Sequence, residues 1–260
     1  MNKKIIATQI DLGRRKETAE EIKRFLDHAA KFGYNTVFFY LEDRIKTKSY
    51  PYPSDEESYT PEEMRALVSY AEKKGIDIIP VVSNHSHTER FLEHEELLPM
   101  AELYGNIKGR FNKAGNAYYH VTCTENKKTY EFFDKYFAEL AEIFPSPYFH
   151  AGLDEAFDIA MCPRCKERFE REGGYEGIFL DHVNHTNDLL KSLGKTMMMW
   201  DDMYHIMDDS ALDSAPKDVI MVSWNYEYID RALPGQFRNN KRRELFYDYE
   251  RLGIRYIPAC

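Results

Sequence analysis

The sequence has few cysteines, no long apolar run and no excess of positive charge, and each absence excludes a class of protein. Four cysteines among 260 residues are too few for a disulfide framework, so reduced thiols are expected. No apolar run approaches the roughly 20 residues that span a bilayer. With 35 basic and 44 acidic side chains the formal charge is −9, which leaves no surplus of cations for phosphates. A membrane-spanning protein is excluded, and nucleic acid is not expected as a partner.

The N-terminal stretch and the overall composition narrow the class further. Residues 1–13 hold two lysines and a short apolar run that Thr8, Gln9 and Asp11 interrupt. This stretch is too short and too polar for a signal peptide, so the sequence predicts a cytoplasmic protein without a membrane partner. An apolar content of 43% excludes disorder, and the length is close to the roughly 250 residues of one α/β barrel.

One unit recurs along the chain: an amphipathic helix ends in glycine, and a β-rich apolar run begins two or three residues later. Glycine closes a helix because it adopts the left-handed conformation without a steric penalty. One of the helices also has a clear start, with Thr60 as N-cap, Pro61 in the first turn and Glu63 as capping-box partner. The predicted helix stops are Gly33, Gly75, Gly194 and Gly253.

Strands that alternate with helices indicate a parallel sheet, and continuous apolar strands indicate that both of its faces are covered. No GxGxxG motif follows the first strand, and no linker divides the chain. We therefore predict one domain over residues 1–260, a (β/α)8 TIM barrel that ends after its seventh strand. The predicted strands start near Ile5, Thr36, Ile78, Tyr148, Thr196, Val219 and Arg255.

Polar and aromatic side chains stand where the predicted strands end, at the edge where barrel active sites are built. Both tryptophans of the chain, Trp200 and Trp224, belong to this set. Aromatic rings stack on the apolar faces of sugars, although indoles that merely plug the barrel mouth are an alternative. The polar members that we take as candidates are Asp11, Arg14, Asp43, His87, His150 and Asp202.

The adjacent carboxylates Asp154 and Glu155 follow the fourth predicted strand. Crowding of two carboxylates raises a pKa, and a carboxyl that stays protonated near neutral pH can act as a general acid. A solvated acidic turn at the start of the next helix is the alternative. The pair is therefore a candidate for acid–base chemistry.

The neighbourhood of this pair resembles a known enzyme family. His150-Ala151-Gly152-Leu153-Asp154-Glu155 is similar to the His-x-Gly-x-Asp-Glu signature of family 20 glycoside hydrolases, the β-N-acetylhexosaminidases. Further segments match in the same order: the first set given below resembles the family's second helix and third strand, and the others resemble the branch that includes hexosaminidase D and bacterial exo-hexosaminidases. These segments are residues 59–64 with 75–80, 42–43, 87–89, 200–203 and 224–226.

The resemblance implies a retaining exo-hydrolase whose substrate supplies the nucleophile, its own 2-acetamido group, through an oxazolinium intermediate. It implies Glu155 as general acid and then base, and Asp154 as acceptor of the acetamide N–H. It implies Tyr226 as donor to the acetamide oxygen, between the walls Trp200 and Trp224. The remaining strand-end residues would bind the hydroxyls of a terminal N-acetylhexosamine or position the residues that bind them.

Several alternatives stay open. His150 either buffers the carboxylates or is a hydrogen-bonded core histidine. His85 and His87 with Asp202 would be ligands in a metal-dependent barrel enzyme. Cys162 and Cys165 are half a zinc knuckle, but Cys123 and Cys260 are far away in sequence, so we predict no metal site and no cofactor.

The chain stops where the family's eighth strand is expected. An exposed parallel edge favours association, so a second copy of the chain is a candidate to cover it as a homo-oligomer. A sugar-binding barrel that holds N-acetylhexosamine without turnover is therefore the main alternative to the hydrolase.

Overall fold

Strands alternate with helices in a computed structural model that describes residues 4–105, 107–110, 119–224 and 245–259. Each strand begins at most two residues from its predicted start. The seven strands within these ranges are β1 (Ala7–Asp11), β2 (Thr36–Tyr40), β3 (Asp77–Val81), β4 (Tyr148–His150), β5 (Thr196–Trp200), β6 (Ile220–Trp224) and β7 (Arg255–Ala259).

Helices fill most of the connections between these strands, together with one 3₁₀ turn at Leu98–Met100. None of the helices within the described ranges has the length and apolar content needed to cross a bilayer. The helices described are α1 (Ala19–Lys31), α2 (Pro61–Glu72), α3 (Glu89–Leu92), α4 (Lys127–Ile143), α5 (Pro163–Glu172), α6 (Glu176–Ser192), α7 (Asp202–Ile206), α8 (Asp209–Asp213) and α9 (Leu245–Leu252).

The first of two compact units comprises the chain up to Val82 and residues 131–150. Its strands β1, β2, β3 and β4 are parallel and pair in chain order, with Thr36 of β2 opposite Ala7 of β1. The apolar residues of β2 are buried because both faces of the strand are covered, as the continuous apolar run predicts.

The second unit comprises residues 83–130 and the chain from Ala151 onward. Its strands β5, β6 and β7 are also parallel and pair in chain order. Met197, Met198 and Met199 of β5 are fully buried. Two units are thus present, and the single domain over residues 1–260 stays a prediction.

The predicted helix signals are confirmed. Thr60 and Glu63 form a reciprocal capping box at the start of α2, with Pro61 in its first turn. All four predicted stop glycines have positive φ angles, between 69° and 85°. A second capping box, Thr18 with Glu21 before α1, has the same sequence signature and was not predicted.

Candidate active site

The two carboxylates lie in the loop between β4 and α5. The backbone N–H of Glu155 donates to Oδ2 of Asp202 over 2.8 Å. The hydroxyl of Ser86 donates to the carbonyl oxygen of Asp154. Side chains from two other segments of the second unit therefore hold the backbone of the pair, as a site that must fix two carboxylates requires.

His87 contacts both carboxylates of the pair. Its Nε2 lies 3.3 Å from Oδ2 of Asp154 and 3.3 Å from Oε2 of Glu155. Burial by itself lowers the pKa of His87, but hydrogen bonds to Asp154 and Glu155 and the charge of Asp154 outweigh it and raise the pKa to about 11. The imidazole is therefore a cation between two acidic side chains at neutral pH.

Asp202 is buried directly behind the pair. Its Oδ2 receives the N–H of Glu155, and its Oδ1 receives the indole N–H of Trp224 over 3.3 Å. Burial, followed by the charge of Asp154, raises the pKa of Asp202 well above its ordinary value. Asp202 therefore holds Glu155 and Trp224 in place through these two hydrogen bonds, and its own side chain is almost fully buried.

Both tryptophans occupy strand ends, as predicted. Trp200 is the last residue of β5 and Trp224 the last residue of β6. Each is partly exposed, which a ring that stacks on a sugar needs. That they wall a substrate pocket stays a prediction.

Unusual backbone conformations accumulate around the pair. His87, Leu153 and Glu155 have φ angles of 49°, 72° and 49°, in the left-handed region that residues other than glycine rarely adopt. Such conformations cost about 1–3 kcal/mol each and persist where the surroundings fix them, often at functional sites. His87 and Glu155, which are in contact with each other, both have this conformation.

Gly152 is required at its position between β4 and the pair. Its φ angle is 69°, and a Cβ atom there would lie 1.8 Å from Oγ and 2.9 Å from Cα of Ser83. Only a residue without a side chain fits, so the glycine of the signature lets the loop pass close to the segment after β3.

Asp11, Arg14 and Asp43 are predicted site residues in the N-terminal part of the first unit. Asp11 ends β1, and its Oδ2 forms an exposed ion pair of 3.5 Å with Nε of Arg14. Asp43 is buried, and its Oδ2 accepts a hydrogen bond of 3.1 Å from the hydroxyl of Tyr50. Asp11 and Arg14 are available to a ligand, whereas Asp43 holds its own loop, so its direct contact with substrate is not supported.

The structure describes the surroundings of His150 but not those of Tyr226. His150 is fully buried, its ring meets Phe38 edge-on at 5.9 Å, and burial lowers its pKa to about 3. The structure thus favours the core histidine over a residue that touches substrate. Tyr226 lies outside the described residues, so its assignment stays a prediction.

The structure does not bring together the histidines and aspartate of the alternative metal-dependent reading. His85 is buried, its Nδ1 lies 3.2 Å from the carbonyl oxygen of Thr122, and its ring lies 4.9 Å from that of His182. Burial lowers the pKa of His85 to about 4. Among the residues that the structure describes, no metal-ligating group contains His85, His87 or Asp202.

The prediction of no zinc site assumed that Cys162 and Cys165 have no further ligands close by, and this assumption is wrong. Cys123 is far from the other two cysteines in sequence, but its Sγ lies 3.5 Å from the Sγ atoms of both Cys162 and Cys165. Glu102 completes the group. No spacing motif joins these segments, so sequence reasoning missed the cluster.

Parallel strands alternate with helices, an acid pair follows the fourth strand, and tryptophans end the next two strands, an arrangement typical of the (β/α)-barrel class of enzymes. The chain belongs to glycosyl hydrolase family 20, whose catalytic-domain model matches residues 7–239. This family and the predicted fold class are thereby confirmed.

Relatives of known name agree with this family. The chain is 26% identical over 245 residues to a β-hexosaminidase of Vibrio furnissii, covering 83% of this chain and 39% of that protein. It is also 26% identical over 262 residues to a β-hexosaminidase of Akkermansia muciniphila, covering 85% of this chain and 52% of the relative. The chain therefore spans about half or less of the length of these curated relatives.

Solved structures show the same fold. A family 20 exo-β-N-acetylglucosaminidase of Vibrio harveyi, solved in complex with N-acetylglucosamine, superposes with a TM-score of 0.75 at 23% identity, covering 98% of this chain and 40% of that one. A chitobiase of Flavobacterium johnsoniae superposes with a TM-score of 0.76, covering 98% of this chain and 38% of that one.

Proposed function

We propose that the protein is a retaining exo-β-N-acetylhexosaminidase that removes terminal N-acetylglucosamine or N-acetylgalactosamine. One observation carries the proposal: the imidazole of His87 lies within 3.3 Å of both carboxylates of a pair that follows β4. Membership of family 20 supports this reading, as do the names of the relatives, which are β-hexosaminidases. The site residues below are proposals for this chain.

The first step breaks the glycosidic bond. The carbonyl oxygen of the substrate's 2-acetamido group attacks the anomeric carbon, while Glu155 donates a proton to the leaving oxygen. The bond to the leaving oxygen breaks with its electron pair, and a bicyclic oxazolinium ion remains. Glu155 is the residue for this step because Asp202 and the strained backbone fix its position beside the cationic His87.

The second step restores the sugar. Glu155, now ionised, takes a proton from water, and the water oxygen attacks the anomeric carbon of the oxazolinium ion. The acetamido oxygen leaves, so two inversions give net retention of configuration. Because the substrate supplies the nucleophile, the reaction needs one protein acid and base rather than a protein nucleophile.

Asp154 has the electrostatic role. The acetamide nitrogen gains positive charge as the oxazolinium ion forms, and an ionised carboxylate that accepts its N–H stabilises that charge in the transition state. Nε2 of His87 lies 3.3 Å from Oδ2 of Asp154 and 3.3 Å from Oε2 of Glu155, so one imidazole holds both side chains in place. His87 is therefore a positioning residue for the pair, rather than primarily a ligand of sugar hydroxyls.

The remaining proposed contacts surround the sugar ring. Trp200 and Trp224 wall the acetamide methyl group, and Tyr226 donates to its oxygen. Asp11 and Arg14 bind hydroxyl groups of the sugar, because both have solvent-accessible side chains that can form hydrogen bonds at the end of β1. Association with a second copy of the chain is a further proposal.

Hydrolysis of aryl β-N-acetylglucosaminide and aryl β-N-acetylgalactosaminide tests the proposal, and the ratio of the two rates gives the preferred sugar. The expected product is the free β-anomer, detected by NMR before mutarotation. Tight binding of an N-acetylglucosamine thiazoline, a mimic of the oxazolinium ion, without any hydrolysis would instead establish a sugar-binding barrel. Release of the α-anomer would exclude the retaining mechanism.

A further inference from the structure

A compact group of three cysteines and one glutamate lies in the second unit, beyond the acid pair. Glu102 and Cys123 come from the segment between β3 and α4, while Cys162 precedes α5 and Cys165 lies in its first turn. One ligand atom from each of the four lies within 4.8 Å of all the others. All four residues are buried, with at most 5% of their surface exposed.

The spacing of these atoms suits one tetrahedral metal ion. Ligands about 2.3 Å from a zinc ion at the corners of a tetrahedron are separated by about 3.8 Å. Sγ of Cys123 lies 3.5 Å from Sγ of Cys162 and of Cys165, and Oε2 of Glu102 lies 3.3 Å from Sγ of Cys165. A small movement outward of each donor would admit the ion.

The donor set selects the kind of metal. Three soft sulfur donors disfavour magnesium and calcium, which take oxygen ligands. Thiolates that bind separate irons of a cluster are held apart by the cluster, whereas these thiols touch. A closed, buried site with four protein ligands is typical of structural zinc.

The surrounding backbone already orients the ligands. Oε1 of Glu102 accepts hydrogen bonds from the N–H groups of Met161 and Cys162, over 2.7 Å and 2.8 Å, which turns Oε2 toward the thiols. The N–H of Cys165 donates to Sγ of Cys162 over 3.4 Å. Hydrogen bonds of this kind hold metal ligands in place and stabilise thiolate charge.

The connectivity of the cluster suggests its purpose. Cys162 lies seven residues after Glu155 on the loop that carries the acid pair, and Glu102 lies on the same segment as His87. A metal ion bound here would join the two segments whose contact forms the candidate site. The effect would be on the position of the pair, not on the chemical step.

We propose that Glu102, Cys123, Cys162 and Cys165 bind one structural Zn²⁺ ion that fixes the acid-pair loop to the segment carrying His87. The ligands are three thiolates and one carboxylate, so binding releases protons from the thiols. This metal site is independent of the glycosidase proposal, because a protein without glycosidase activity would still bind the ion.

Metal content of the whole protein, purified under reducing conditions without chelator, is the first measurement. We expect about one zinc per chain, bound tightly enough to survive dialysis. Replacement by Co²⁺ should give intense d–d bands and a thiolate-to-metal charge-transfer band in the near ultraviolet, as a tetrahedral thiolate site requires. Wild-type protein that lacks zinc and gives no such band would overturn the proposal.

Single substitutions then identify the ligands. Cys123→Ser, Cys162→Ser and Cys165→Ser should each weaken zinc binding at least tenfold, and each should lower the charge-transfer band by about a third. Glu102→Gln should weaken binding but keep the band. The control Glu170→Gln removes an exposed carboxylate of α5 and should change neither.

The wild-type cobalt spectrum decides the question if the cysteine variants fail to fold. Mass spectrometry of the unreduced protein provides the opposing result. A disulfide that joins Cys123 to Cys162 or Cys165 in freshly purified, metal-free protein would show that the cluster is a redox pair and not a zinc site.

Discussion

The backbone N–H of Glu155 donates a hydrogen bond to Oδ2 of Asp202 over 2.8 Å, although the two residues are 47 positions apart. Asp202 follows directly on Asp201, whose Oδ2 accepts a hydrogen bond of 2.7 Å from the hydroxyl of Tyr249 in α9. The two adjacent buried aspartates therefore have different structural roles. Asp202 holds the acid-pair loop, and Asp201 holds α9.

This division predicts different outcomes for two matched substitutions. In Asp202→Asn, one side-chain oxygen becomes an NH₂ group, which then faces an N–H donor from either Glu155 or Trp224. The lost hydrogen bond should cost about 1–3 kcal/mol and displace Glu155, so kcat on an aryl N-acetylhexosaminide should fall at least tenfold with little change in KM.

Asp201→Asn is the matched control. The amide oxygen of the new residue can still accept the hydroxyl of Tyr249, so kcat should stay within about threefold of wild type. An equal loss of kcat in both variants would mean that burial of the aspartates matters and that the contact with Glu155 does not.

The position of His87 predicts a pH dependence of stability. The pKa of His87 is near 6.5 in the unfolded chain and about 11 in the folded protein, so the folded state favours the protonated imidazole. A raised pKa of this sign stabilises the fold fully below about pH 6.5, and the stabilisation declines as pH rises toward 11. The free-energy difference between wild type and His87→Gln should therefore be larger at pH 6 than at pH 9.

Urea denaturation of both proteins at the two pH values measures this difference. NMR of ¹⁵N-labelled imidazole provides the direct check, since His87 should remain protonated at pH 9. A His87 signal that titrates near pH 6.5 would mean that its contacts with the two carboxylates do not persist in solution.

Gly152 and Gly75 form a matched pair for backbone strain. Both have positive φ, 69° and 73°, but a Cβ at Gly152 would collide with Ser83, whereas a Cβ at Gly75 would have no described atom within 4 Å. Gly75→Ala should cost only the left-handed penalty of about 1–2 kcal/mol. Gly152→Ala should cost at least about 3 kcal/mol and reduce activity, measured by urea denaturation and by initial rates.

Local features of the fold were predictable from the sequence. The helix stop at Gly75 and the capping box of Thr60 and Glu63 depend on residues within a few positions of each other, so their signals are contiguous. The acid pair was found for the same reason, since the signature from His150 to Glu155 occupies six consecutive positions.

Contacts between distant segments were not predictable. His87 was expected to bind hydroxyls, yet its ring faces the acid pair because the loop after β4 returns to the segment after β3. Glu102 and Cys123 meet Cys162 for the same reason. Asp43 and His150 carry polar side chains typical of binding sites, and only the packing around them shows that they are buried.

The division of work between the carboxylates gives the last prediction. If Glu155 protonates the leaving oxygen, Glu155→Gln should reduce kcat/KM most for a poor leaving group, such as the sugar of an unactivated disaccharide. An aryl leaving group of low pKa departs without protonation, so its loss should be smaller. General acids contribute about 10²–10⁴-fold, and the contrast between the two substrates should lie within that range.

Asp154→Asn provides the comparison, because this change leaves the general acid in place. It weakens the orientation of the acetamide and the stabilisation of charge, and both are needed whatever the leaving group. The reductions in kcat/KM for the disaccharide and the aryl substrate should therefore be similar. Equal losses in both variants across both substrates would refute these separate roles. Full activity of Glu155→Gln on the disaccharide would refute the mechanism itself, because no other group has been placed to protonate the leaving oxygen.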